Sequence, residues 1–361
     1  MEGPRAPQCH ELEDVVGVID AVFRPGRPSM GAEFPQLLST SNVRRLRIFA
    51  DSITGRPVAH AGYLPQELII EGHRIPVAAL GSVCTLPEYR GQGLASRLVE
   101  SIMEQAASEG LAIMLISGDS GVYKRLGAVE TGDFLTVQAD GKGISRLCAS
   151  GGERADELDQ CGIALGRATP DDLPAMAAAY RRESVRYARS VSDFRELSWW
   201  NQGMDRLGGR EHVWIARSEP GALAYIVTRL QTLEEGRLRL LVPEFAGARW
   251  AVMRLIAYAC RELMPDILCM IACGSDREMI VILDREGLPT AKSNLFGYTV
   301  MALNSKLLRE VVEPILAEKH GEGDMASLAA RSGPRSGPEL VERLFSGGGA
   351  IPLPVPGLNY V

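Results

Sequence analysis

Aromatic residues are scarce, at 6% of 361 positions, and no apolar run reaches the ~18 residues a membrane span needs. No membrane partner is therefore expected. Strong charge of either sign is also missing. The net charge of −6 gives no broad electrostatic grip on nucleic acid or anionic lipid, so neither is an expected partner. Histidine is rare too, with five residues and none beside a paired cysteine spacing, so no metal site is expected. The seven cysteines are odd in number and scattered, and several sit in apolar runs such as Ile267-Leu268-Cys269-Met270-Ile271-Ala272-Cys273. That pattern suits reduced core thiols and excludes a disulfide framework. Met1-Glu2-Gly3-Pro4-Arg5 lacks the charged-then-apolar order of a signal peptide, and a cytoplasmic location is expected.

What is present is the profile of a globular protein, 46% hydrophobic and 23% charged. At roughly 150 residues per domain, the length suggests two domains and a smaller third piece. From Arg45 to Leu135 short strands surround one clear helix. Residues 47–50 and 58–63 read as strands about a Thr54-Gly55-Arg56-Pro57 turn, and 68–77 as a hairpin around Glu71-Gly72-His73. Leu94, Leu98, Ile102 and Ala106 recur at i+4 steps and mark an amphipathic helix over 94–108. Residues 139–162 turn polar and glycine-rich, as a linker would. Further on, a helix over 307–317 is expected to bend or break at Pro314, and another covers 339–345. Alternating prolines stiffen the 351–361 ending.

The chain repeats itself. Pro87-Glu88-Tyr89-Arg90-Gly91-Gln92-Gly93-Leu94-Ala95 returns as Pro243-Glu244-Phe245-Ala246-Gly247-Ala248-Arg249-Trp250-Ala251, at an offset of 243 − 87 = 156 positions. One domain length separates the copies, which points to two copies of one fold and not to a solenoid.

In the first copy a strand feeds a glycine-bearing loop and then a helix. Glycine lets the backbone approach a ligand and take positive φ, and the first helical amides have no internal acceptor. With the helix dipole and Arg90 nearby, the turn suits a pyrophosphate. A dinucleotide fingerprint needs a different glycine spacing, which Arg90-Gly91-Gln92-Gly93-Leu94-Ala95 does not have. A glycine-rich turn with no ligand is the plainer alternative.

This segment resembles the cofactor motif of the GNAT acetyltransferases, carried here by Arg90, Gly93 and Ala95 with Pro87 and Tyr89 upstream. The resemblance implies an α+β fold of the α/β/α GNAT kind, in two tandem domains, each a mixed, mostly antiparallel sheet flanked by helices. It implies acetyl-CoA as cosubstrate. The backbone of Val83, Cys84 and Thr85 would pair with the pantetheine arm, and Arg90 with the amides of Gly91, Gln92, Gly93, Leu94, Ala95 and Ser96 would hold the pyrophosphate. Ser120-Gly121-Val122-Tyr123-Lys124-Arg125-Leu126-Gly127-Ala128 resembles the family's Tyr-x-x-Leu-Gly-Phe element, which makes Tyr123 the general acid for the departing thiolate. A core tyrosine heading a short helix is the other reading of that residue.

The two-copy plan with a tail is similar to tandem-GNAT proteins related to the enhanced-intracellular-survival (Eis) acetyltransferases. It implies a catalytic domain over 1–145, a linker over 146–162 and a degenerate second GNAT domain over 163–302. A shortened sterol-carrier-like region follows over 303–361, and the Val361 carboxylate is the general base. Ala246 and Arg249 in place of Arg90 and Gly93 imply that the second copy binds no CoA. Glu33 and His60 are alternative bases without a motif. Trp199 and Trp200 line a groove or pack inside. The expected function is transfer of acetyl to a primary amine of a small molecule or of a peptide lysine or N-terminus. The alternatives are a non-catalytic acyl-CoA-binding regulator and an acyltransferase using another acyl-CoA. A homo-oligomer is a further expectation.

Overall fold

The computed structural model describes residues 1–118, 121–152, 162–197, 205–206, 208–219, 221–292, 298–320, 337–346 and 351–359. They fall into two compact units, Met1–Gly132 with Gly297–Ile351, and Asp133–Phe296 with Pro352–Tyr360. The first opens with β1 (Glu2–Arg5), α1 (Leu12–Phe23), α2 (Met30–Glu33), β2 (Leu46–Ala50), β3 (Pro57–Ile70) and β4 (His73–Thr85). Next come α3 (Leu94–Ser108), β5 (Ile113–Ile116), α4 (Gly121–Arg125) and β6 (Val129–Thr131). The second unit begins with β7 (Phe134–Ala139), α5 (Gly141–Gly152), β8 (Ala164–Arg167), α6 (Leu173–Arg181), β9 (Val185–Tyr187) and α7 (Val191–Leu197). It goes on through β10 (Asp205–Arg206), β11 (Gly209–Ser218), β12 (Gly221–Thr232) and β13 (Leu238–Gly247), and closes with α8 (Arg249–Leu263), β14 (Ile267–Cys273), α9 (Arg277–Arg285) and β15 (Thr290–Lys292). β16 (Tyr298–Ala302), α10 (Ser305–His320) and α11 (Gly337–Phe345) belong to the first unit again.

Each unit is a mixed sheet flanked by helices, as expected for a tandem GNAT fold. The strand order is β1-β2-β3-β4-β5-β16-β6 in one sheet and β10-β11-β12-β13-β14-β7-β15 in the other, where β8 also pairs with β11. Pairings along both orders are antiparallel except β4 with β5 and β13 with β14. The β3–β4 hairpin closes through Glu71 and Gly72, both at positive φ (51° and 93°), the geometry that matches the twist of two antiparallel strands. On α3 the four residues picked out by their spacing, Leu94, Leu98, Ile102 and Ala106, are all buried.

Two strand pairings cross the expected domain boundaries. β7 was expected inside the first domain, yet it pairs with β14 and β15 in the second sheet. β16 was expected to end the second domain, yet it pairs with β5 and β6 in the first sheet. β7 and β16 thus each pair outside the stretch of sequence in which they were expected. Burying one face of a short strand rewards its alternation and leaves the choice of partner open. The expected linker also differs, since Gly141–Gly152 is helical, with Ile144 and Leu147 in the second unit's core. α10 runs unbroken through Pro314, its buried Leu308, Val312, Ile315 and Leu316 outweighing the one hydrogen bond that proline removes.

Candidate functional site

In the first unit, the parallel ladder between β4 and β5 runs from Val77–Ile113 to Leu80–Ile116 and stops. β4 continues to Thr85, held on its other side by β3 through His60–Cys84 and Ala59–Thr85. The two parallel strands therefore separate, and the edge of β4 from Val83 to Thr85 offers backbone groups to a ligand. Where they part, β4 bulges. Ser82 takes φ 54°, and the register slips between His60 and Gly62.

His60 lies beneath this bulge, wholly buried, with Nδ1 2.9 Å from the Ser82 carbonyl oxygen. Since a carbonyl only accepts, Nδ1 carries the proton and donates it. Nε2 is left as a buried acceptor with no partner among the described residues. Burial pushes the imidazole from 6.5 down to about 4. Between those pH values the unfolded chain takes up a proton that the folded chain refuses. Stability from this group is intact above pH 6.5 and falls on acidification, by ~3 kcal/mol in all. Urea denaturation from pH 7 to 4 should show this loss, and His60→Gln should flatten it. Equal acid slopes would mean that His60 is not the group responsible.

Beyond β4, Tyr89 donates to Asp51 Oδ2 (3.3 Å) and fixes the loop, while Arg90 donates from Nε to the Thr85 carbonyl (3.2 Å). Gly91 (φ 79°) and Gly93 (φ 73°) take left-handed conformations that suit glycine, and Gly93 is the N-cap of α3. No side chain caps this end. A Cβ at either glycine would meet nothing within 4 Å, so the turn faces open space. Gly91, Gln92 and Gly93 are exposed, and the amides of Leu94, Ala95 and Ser96 form the first helical turn with no intrahelical acceptor. This is a cradle for an anion, and it fits the pyrophosphate of an acyl-CoA. Burial pushes the Cys84 thiol up to about 12, so it stays protonated at neutral pH. Tyr123, on α4, is half-buried, and burial raises its hydroxyl to about 12. Among the described residues that hydroxyl has no hydrogen-bond partner.

Of the alternative bases, His60 is locked as described. The Glu33 carboxylate is buried and held by Arg24 (2.9 and 2.7 Å) and Ser29 (2.6 Å). Val361, Trp199 and Trp200 lie outside the described residues.

The second unit treats the same elements differently. β13 runs through Pro243 to Gly247, paired with β12 up to Ala224–Gly247, and α8 starts at Arg249. In the first unit eight residues of loop stand between strand and helix; here the strand consumes them. The helix starts align Ala248 with Gly93 and Arg249 with Leu94. A carboxylate of the protein itself occupies the turn. Glu183 accepts from the Gly247 amide (2.7 Å) and from Arg249 Nη1 and Nη2 (2.9 and 2.6 Å), and Arg249 Nε reaches Asp276 (2.7 Å).

The tail lies against the corresponding strand gap. The β13–β14 ladder ends at Val242–Met270. Beyond it, a small cavity bounded by Glu244, Phe245, Ile271 and Cys273 has Pro354 and Val355 as a further wall. The Cys273 thiol lies 3.7 Å from the Leu353 carbonyl. Gly357 (φ 53°) sits so close to Glu244 that a Cβ there would collide with its carboxylate. That carboxylate forms a bidentate pair with Arg189 (2.7 and 2.8 Å) and accepts from Tyr225 (2.7 Å). Arg189 also bonds Asn359 and lies over the rings of Tyr180 and Phe194, 4.3 and 5.2 Å from their centroids. Sequence reasoning missed this cluster, because Arg189, Glu244 and Asn359 stand far apart in the chain with no shared motif.

Among the described residues no helix is long and apolar enough to cross a membrane, and no cluster of acidic, histidine or cysteine side chains is arranged to hold a metal.

Residues 4–130 match the family model of the acetyltransferase (GNAT) domain. A comparison with curated proteins gives no match. Among solved structures, a GCN5-related N-acetyltransferase from Anabaena variabilis superposes with TM-score 0.63 at 12% identity, over 85% of this chain and 74% of that one. Eis1 from Mycobacterium abscessus gives 0.53 at 18%, over 86% and 75%. N-myristoyltransferase from Saccharomyces cerevisiae with bound myristoyl-CoA gives 0.50 at 11%, over 83% and 81%. At these identities the likeness is one of fold.

Proposed function

We propose that the GNAT acetyltransferase domain carried by residues 4–130 is the working half of an acetyl-CoA-dependent N-acetyltransferase, and that the second unit takes no cofactor. The observation that carries this reading is the contrast between two turns. One leaves its glycines and first helical amides open. The other is sealed by Glu183 and Arg249, with the tail against its strand gap.

Acetyl-CoA, when bound, supplies an activated acyl thioester. The amides of Gly91 to Ser96, with Arg90, hold its pyrophosphate, and the free edge of Val83 to Thr85 aligns the pantetheine. Tyr123 is protonated at neutral pH and donates to the departing sulfur. The attacking amine gives its proton to a base at the site as the new bond forms.

Calorimetry with acetyl-CoA, followed by thiol release with polyamines, aminoglycosides and lysine peptides, tests the reading. Failure to bind acetyl-CoA sinks it. Binding without turnover on every amine favours an acyl-CoA sensor, and turnover only with a long acyl donor favours the chemistry of the yeast enzyme's ligand. Gly93→Val should lower acetyl-CoA affinity at least ~10-fold, equivalent to ~1.4 kcal/mol. Its side chain enters the open approach and the residue resists φ 73°. An unchanged Kd would remove the turn from the binding site.

A further inference from the structure

A second cavity, of about 330 Å³, lies wholly within the second unit on the sheet face turned away from α8. Strand alternation places it there. Leu240 and Val242 pack under α8, while Arg239 and Leu241 line the cavity, with Val355, Pro356 and Gly357 of the tail as another wall. The volume falls in the range of roughly 300–1,000 Å³ typical of small-molecule sites.

Its polar groups are poorly satisfied. Arg229 is 4% exposed and lines the cavity. It pairs across the strands with buried Glu211 through one bond, Nη2 to Oε2 at 3.1 Å. Arg229 Nε and Glu211 Oε1 have no partner among the described residues. A guanidinium has five donors, and burying it with one bond among the described residues is costly unless something else accepts. Arg239, on the same wall, gives Nε and Nη2 to the neutral Gln231 Oε1 (3.0 and 2.7 Å) and meets no carboxylate among the described residues. Glu211 offsets one of the two cations, so the lining carries one net positive charge. The remaining lining is largely apolar, with Leu233, Leu241, Ile267 and Ile271 prominent.

We propose that this cavity binds a small amphipathic monoanion, a medium-chain carboxylate, with its headgroup at Arg229 and Arg239 and its apolar body against Leu241, Ile267 and Ile271. The site is independent of the acyl-transfer reading, since every residue in it belongs to the half that takes no CoA in that reading.

Cys269 also lines the cavity and reports on it, while Cys9 is exposed elsewhere. Full-length protein is titrated calorimetrically with octanoate, octylamine and 1-octanol, and alkylation of each cysteine by N-ethylmaleimide is followed by peptide mass spectrometry. Octanoate should bind saturably and slow Cys269 labelling at least ~10-fold, equivalent to ~1.4 kcal/mol, with Cys9 unaffected. Octylamine and octanol should do neither. Arg239→Met should weaken octanoate ~10-fold while leaving the unfolding midpoint in place. It is preferable to a change at Arg229, which would strand buried Glu211. No saturable octanoate binding, equal protection by octanol, or an Arg239→Met protein that binds octanoate as well as the parent would each overturn the proposal.

Discussion

Tyr123→Phe should lower kcat by ~10²-fold or more while leaving the Kd for acetyl-CoA within about twofold. The ring packs against the first unit's core, and phenylalanine keeps that packing. The hydroxyl has no hydrogen-bond partner among the described residues, so deleting it strands nothing and the unfolding midpoint should stay put. With its hydroxyl raised to about 12, the residue is a proton donor across the neutral range. In the proposed reaction, what the variant loses is the proton for the leaving sulfur. Single-turnover thiol release at saturating acetyl-CoA separates this from a binding defect. A variant that turns over at the parent rate would reduce Tyr123 to a packing residue.

The second large effect is on stability. Arg189→Met should cost ~3–5 kcal/mol, because it removes the bidentate cationic partner of the buried Glu244 carboxylate and leaves the neutral Tyr225 hydroxyl donating to it. The double variant Arg189→Met/Glu244→Leu should recover most of that loss, since it buries no charge. Urea denaturation of both proteins reads the difference directly. The same substitution releases Asn359, so limited proteolysis should cut residues 351–359 faster in both variants than in the parent. A single variant within ~1 kcal/mol of the parent would show that the pair does not hold this part of the fold.

Local patterns in the sequence were legible because their physics is local. Helix α3 could be read from four apolar residues at i+4, and the open turn before it from two glycines. The repeat around Pro87 and Pro243 announced two copies of one fold. It also set Arg249 against Gly93, and the structure shows what that arginine does. Arg249 turns to Glu183 and Asp276, and the Glu183 carboxylate caps the Gly247 amide. Nothing in the sequence near Arg249 names Glu183, which lies in the loop after α6, so that contact was not to be found by motif.

The chain's own order of residues determined the elements and the amphipathic faces. It also set the place where helical amides stand open beside glycines at 91 and 93. Folding alone decided which strand joins which sheet, sending β7 and β16 across the expected boundaries. It also brought Arg189, Glu244 and Asn359 into one buried cluster and laid the tail into the second unit. Periodicity encodes which side of a segment seeks the core; partner choice depends on distances between segments far apart in sequence, and these exist only once the chain has closed on itself.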